Sequence, residues 1–141
     1  MIGFLIITHD ELGDAMLASA THVLGAAPAN LRTLKVRAGD VQADVLAKAR
    51  ALVATLDTSD GLIVFADIYG ATPANVACRL LDGGAEMEKR VEAFAGFSLP
   101  MLVKAIAYRN MPFDQLVAKT QQGGVGGIVQ ISKDPCHAAN G

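Results

Sequence analysis

The stretch Gly61-Leu62-Ile63-Val64-Phe65-Ala66-Asp67-Ile68-Tyr69-Gly70-Ala71-Thr72-Pro73 decides the fold. Gly61 to Ala66 is a continuous apolar run, too short for a helix, and it predicts a strand buried on both faces. The strand closes on a carboxylate, Asp67. Gly70 and Ala71 then allow close backbone approach. Thr72-Pro73 starts a helix, with Thr72 as N-cap and Pro73 as first helical residue. Strand, loop and helix in this order make half of a βαβ unit.

The same grammar extends in both directions. Residues 2–8 form another apolar run, Ile2-Gly3-Phe4-Leu5-Ile6-Ile7-Thr8, followed by His9. Residues 10–24 carry apolar side chains at helical spacing, and Gly25 stops that helix. Leu31 to Val36 reads as a strand, with Leu31, Thr33 and Lys35 alternating against Arg32, Leu34 and Val36. Asp40 to Leu56 reads as a helix with Asp40 as N-cap. Beyond the central stretch, the helix over Thr72 to Leu81 ends at Asp82-Gly83-Gly84. A strand follows over Val91 to Phe97, then helices over Leu99 to Tyr108 and Phe113 to Gln122. Gly123-Gly124-Val125-Gly126-Gly127 reads as a hinge or turn. It leads into a short last strand, Ile128-Val129-Gln130-Ile131. That strand is expected antiparallel at an edge or exchanged with a partner subunit. Residues 132–141 are expected to be a frayed polar tail.

Alternation of strand and helix implies right-handed crossovers. The expected fold is a single α/β domain over residues 1–131, a three-layer α/β/α sandwich with a mainly parallel sheet of order 2-1-3-4. In such sheets ligands sit where the carboxyl ends of adjacent strands face one crevice. His9 and Asp67 both stand at such ends.

Composition narrows the function. The chain has 141 residues, 52% hydrophobic and 18% charged, ample for one buried core. Net charge is −2 without a basic block, which argues against nucleic-acid binding. Apolar runs are strand-sized, well below the roughly 20 residues of a membrane span. The N-terminus lacks a basic n-region and turns acidic at Asp10-Glu11, so no signal peptide is expected. Cys78 and Cys136 match no metal motif and read as free thiols of a reducing compartment. A cytoplasmic location follows as an expectation.

The candidate chemistry rests on His9 and Asp67. An imidazole titrates near pH 6.5, so it is largely neutral at physiological pH and can attack phosphorus. A carboxylate bonded to one ring N–H fixes the tautomer and frees the other nitrogen. Gly70, Ala71 and Thr72 are candidate phosphate-binding residues. A helix N-terminus offers free N–H groups and a positive dipole end, and the Thr72 hydroxyl adds a donor. Asp10, Glu11 and Asp14 suit the dipole of the first helix but would oppose a bound phosphate. His22 reads as a helix-surface residue, and His137 lies in the tail. The glycine run lacks the Lys and Ser/Thr of a P-loop. No metal ligand set and no cofactor site is read.

Taken together, Ile7-Thr8-His9, Ala66-Asp67-Ile68-Tyr69-Gly70-Ala71-Thr72-Pro73-Ala74-Asn75 and Gly96-Phe97-Ser98-Leu99-Pro100-Met101-Leu102 resemble a known family. It is the mannose-type IIA component of the bacterial phosphoenolpyruvate-dependent sugar phosphotransferase system. The resemblance spans about residues 1–131. It implies a homodimer in which His9 accepts a phosphoryl group from the phosphocarrier HPr. Asp67 matches the carboxylate bonded to the active imidazole, and Thr72 the hydroxyl residue near the phosphoryl group. The group then passes to a IIB component, or the protein acts as a regulatory phosphoprotein. The family often has glycine after the active histidine, whereas this chain has Asp10.

Two other readings stay open on the residues. One is a receiver-like signalling domain phosphorylated on Asp67, with Asp10 helping to hold Mg²⁺. It expects a lysine after a fifth strand, but Lys133 falls in the tail and Lys104 within a helical pattern. The other is a non-catalytic interaction module using the same crevice.

Overall fold

The computed structural model describes residues 1–84 and 90–132. Among the described residues nine elements follow in order, strand and helix alternating until two helices close the run. They are β1 (Gly3–His9), α1 (Leu12–Leu24), β2 (Leu31–Val36), α2 (Gln42–Val53), β3 (Leu62–Ala66), α3 (Thr72–Gly84), β4 (Val91–Phe94), α4 (Leu99–Ala107) and α5 (Phe113–Gly126). The sheet has the expected order, β2-β1-β3-β4, and every pairing is parallel.

Each central strand feeds two cores by simple alternation. Phe4 and Ile6 of β1, with Ile63 and Phe65 of β3, face Ala20 of α1, Met101 and Leu102 of α4 and Leu116 of α5. Leu5, Ile7, Leu62 and Val64 face Val45 and Ala49 of α2 and Val76 and Leu80 of α3. Burying both faces explains why β1 and β3 are apolar at nearly every position. Each fully buried Leu, Ile, Val or Phe contributes about 1.5–3 kcal/mol.

The first strand runs one residue further than expected and includes His9. Helix α1 starts at Leu12 because Asp10 has φ 47°, a left-handed conformation that no helix contains. The cap expected at Asp40 is not formed. Its Oδ2 accepts from the Arg37 N–H at 2.7 Å and closes a turn, and α2 begins at Gln42 without a side-chain cap. Likewise the helix after Asp67 makes its first bond from Asn75 N to Ala71 O, which puts the cap position at Ala71 and Thr72 inside the first turn. It continues through Asp82 to Gly84, past the expected stop. Strand β4 ends at Phe94, short of Phe97, because the chain turns at Gly96 with φ 75° and Phe97 N returns to Ala66 O.

The largest correction concerns the C-terminal end. Residues 123–126 are helical, part of α5, and not a hinge. Glycine here serves close approach rather than flexibility. A Cβ at Gly123 would lie 2.7 Å from the Lys104 Cβ, so α5 needs a bare backbone to pack on α4. Residues 128–131 form no strand in this chain. Val129 and Ile131 are largely exposed there. The tail beyond Ser132, with Lys133, Cys136 and His137, lies outside the described residues. Among the described residues, no helix is long and apolar enough to cross a membrane.

Candidate active site

β1 and β3 are neighbours in register, with Ile7 opposite Ala66, so the next residues beyond this pair reach the same rim. His9 and Asp67 meet there. His9 Nδ1 lies 2.8 Å from Asp67 Oδ2, and the His9 backbone N–H donates to the same oxygen at 2.9 Å. The other oxygen, Oδ1, accepts from the Ile68 N–H at 3.0 Å. The Asp67 side chain is only 9% exposed, whereas the His9 ring is 47% exposed. A carboxylate only accepts, so Nδ1 carries the proton and Nε2 of the neutral ring keeps its lone pair.

Burial pushes the Asp67 carboxyl up, but the bonds from the His9 backbone, the His9 ring and the Ile68 backbone outweigh it. The result is a carboxylate held below its ordinary range. A folded-state value below the unfolded one adds stability above the unfolded value and loses it as pH falls. Asp14, Glu11 and Asp57 are shifted the same way, the first by Lys35, the second by Arg37, and Asp57 to about 2 chiefly by the Ser59 hydroxyl. The thermal midpoint is therefore expected to fall steadily from about pH 4 toward pH 2. Asp57→Asn should flatten part of that slope. A midpoint constant across this window would contradict the assignment.

The remaining candidates sit on one segment with Asp67. Gly70 has φ 86° and is exposed, with open space where a Cβ would stand. Ala71 and Thr72 are half-buried at the start of α3, and Pro73 is buried. Free N–H groups at this helix start therefore lie a short loop beyond the carboxylate. Ile68 and Tyr69, 57% and 87% exposed, form an apolar rim on the same loop. His22 lies in the last turn of α1. Lys104, weighed for the receiver reading, projects from α4 over the Tyr108 ring at 5.5 Å.

Sequence reasoning missed three contributors. Buried Thr8 accepts the Gly13 N–H at 2.8 Å and so ties the first turn of α1 to the strand bearing His9. The Ile68 N–H completes the Asp67 partners, and no side-chain pattern announces a backbone donor. Arg37 pairs with Glu11 at 2.6 Å and Asp10 at 3.4 Å. Its signal was present, because Thr33, Lys35 and Arg37 share one face at period two.

Comparisons with known proteins bear on the family and the fold. The sequence model of the EIIA-Man family, described as "PTS system fructose IIA component", matches residues 3–121. The mannose-specific EIIAB component of Escherichia coli K12 is 29% identical over 140 residues, covering 98% of this chain and 42% of that protein. The chain thus spans less than half the length of that relative. A phosphotransferase-system EIIA from Streptococcus agalactiae superposes with a TM-score of 0.82 at 28% identity, covering 92% of this chain and 97% of that one. The mannose/sorbose-specific IIA subunit from Enterococcus faecalis shares the fold, with a TM-score of 0.81 at 23% identity over 93% and 95% of the two chains. A sheet of order 2-1-3-4, a histidine–carboxylate pair at its carboxyl edge and a family match over most of the length converge: the chain belongs to the EIIA-Man family of phosphotransferase-system IIA components.

Proposed function

We infer that this protein is a phosphohistidine carrier. His9 takes a phosphoryl group from phospho-HPr and passes it to a IIB component or holds it as a regulatory signal. The 2.8 Å contact between His9 Nδ1 and Asp67 carries this reading. It leaves Nε2 as the nucleophile on a half-exposed ring. As a bond forms from Nε2 to phosphorus, the donor's P–N bond breaks and its electron pair returns to the donor nitrogen. His9 keeps its Nδ1 proton and becomes formally positive, and the Asp67 carboxylate stabilises that charge. Donor N–H groups at the start of α3 and the Thr72 hydroxyl receive the phosphoryl oxygens, with Gly70 and Ala71 letting them approach. Transfer of this kind is mostly positioning and charge stabilisation. The exposed Ile68 and Tyr69 suit docking of a protein donor.

The working unit in this reading is a cytoplasmic homodimer. β4 is a sheet edge, and the exposed apolar segment around Val129 and Ile131 follows α5. Exchange of that segment onto the β4 edge of a second copy covers both.

The test is incubation with phosphoenolpyruvate, enzyme I and HPr, followed by intact-mass measurement. One phosphoryl group per chain is expected, lost in acid and retained in base. A base-labile adduct would place it on Asp67 instead. No adduct would leave only an interaction module.

A further inference from the structure

Three carboxylates follow His9 at the start of α1. They are Asp10, Glu11 and Asp14. Asp10 occupies a position with φ 47°, which glycine adopts freely and aspartate tolerates better than most residues. Asp10 directly follows His9, and its carboxylate is exposed. An incoming phosphoryl group is itself an anion, and unpaired carboxylates would repel it.

The adjacent edge strand answers each acid. Thr33, Lys35 and Arg37 alternate along one face of β2 and the residue beyond it. The Thr33 hydroxyl donates to Asp14 Oδ1 at 2.6 Å, and Lys35 Nζ lies 2.8 Å from Asp14 Oδ2. Arg37 reaches both remaining acids, Glu11 Oε1 at 2.6 Å and Asp10 Oδ1 at 3.4 Å. Its place is tied to the active histidine by the sheet. His9 is paired with Val36, and the Asp10 N–H donates to Val36 O at 3.0 Å.

We propose that Arg37 is a positioning residue for phosphoryl transfer: by pairing with Asp10 and Glu11 it offsets one of their two negative charges next to His9, so that an anionic donor group can approach. This rests on His9 being the acceptor, as inferred above. Arg37 acts through the two acids rather than on the reacting atoms. The pairs are about half exposed, so their effect is screened by salt. That screening gives the role a signature that simple structural support lacks.

The experiment measures phosphorylation rates with two donors, phospho-HPr and the small anion phosphoramidate, at low and high ionic strength. Arg37→Ala is expected to be slower by about tenfold at low salt with both donors, with the gap closing at high salt. Arg37→Lys should keep most of the rate. Combining Arg37→Ala with Asp10→Gly and Glu11→Gln should restore it, because the charges needing compensation are gone. A defect that persists in high salt and in the triple variant would overturn the proposal in favour of a structural role. A defect with phospho-HPr alone would overturn it in favour of a docking contact. If the wild type accepts no phosphoryl group from either donor, the reading of the site fails and this proposal with it. If the wild type is phosphorylated on His9 and Arg37→Ala keeps pace at low salt, only the role of Arg37 falls.

Discussion

Phosphoryl incorporation is expected to vanish in His9→Ala and to slow by about 100-fold or more in Asp67→Ala. The first substitution removes the nucleophile. The second leaves it in place and removes what orients it. Without Asp67, Nδ1–H has no acceptor, the ring samples both tautomers and rotates, and the positive charge that develops on transfer has no counter-charge. Asp67→Asn separates these effects. If the amide oxygen replaces Oδ2, both bonds from His9 survive, and the amide N–H₂ then faces the Ile68 N–H, donor against donor. If the amide flips, the clash moves to His9. The first arrangement keeps the tautomer but loses the charge, so a smaller defect of about tenfold is expected. Rapid-quench phosphorylation followed by intact mass gives all three rates. Incorporation in His9→Ala would move the acceptor elsewhere. A wild-type rate in Asp67→Ala would end its orienting role.

The meeting of His9 and Asp67 was legible in the sequence because it follows from rules with little freedom. Two all-apolar runs read as central strands, the doubly wound order 2-1-3-4 makes them neighbours, and each run leads into the residue of interest. What escaped was set by contacts rather than by pattern. Gly123 to Gly126 carry the composition of a turn, yet they stay helical, and at Gly123 and Gly124 the bare backbone makes room for Lys104 and Met101 of α4. Asp40 has the chemistry of a cap, but a nearer backbone donor, the Arg37 N–H, claims it. The left-handed turn at Asp10 was hidden because aspartate stands where glycine would have announced it. Segment 128–131 has the composition of a strand but gains no sheet partner among the described residues, and edge pairing is decided by partners more than by propensity. Arg37 shows the reverse case. Its alternation with Lys35 and Thr33 was visible, but its meaning depended on which helix start lay opposite.

Among stability changes, Phe65→Ala is expected to have one of the largest effects, about 3–5 kcal/mol. Phe65 is fully buried on β3, and its ring meets Phe97 at 4.9 Å, Phe4 at 6.1 Å and Phe94 at 6.5 Å. Phe4 and Phe94 belong to the strands on either side, which the backbone ladder holds in register with β3. The gap left by the ring therefore has little means of closing. Since a domain of this size is stable by only about 5–15 kcal/mol, the variant should lose much of its margin in urea unfolding. Asp67 follows on the same strand, so the rim that aligns it with His9 rests on this packing. Ile68→Ala is the control, one residue beyond Asp67 but exposed, and should change stability by under about 0.5 kcal/mol. A loss below about 1.5 kcal/mol in Phe65→Ala would mean that the neighbouring rings collapse into the space. In that case the register of β1 and β3 is held by their hydrogen bonds and not by the aromatic cluster beneath the dyad.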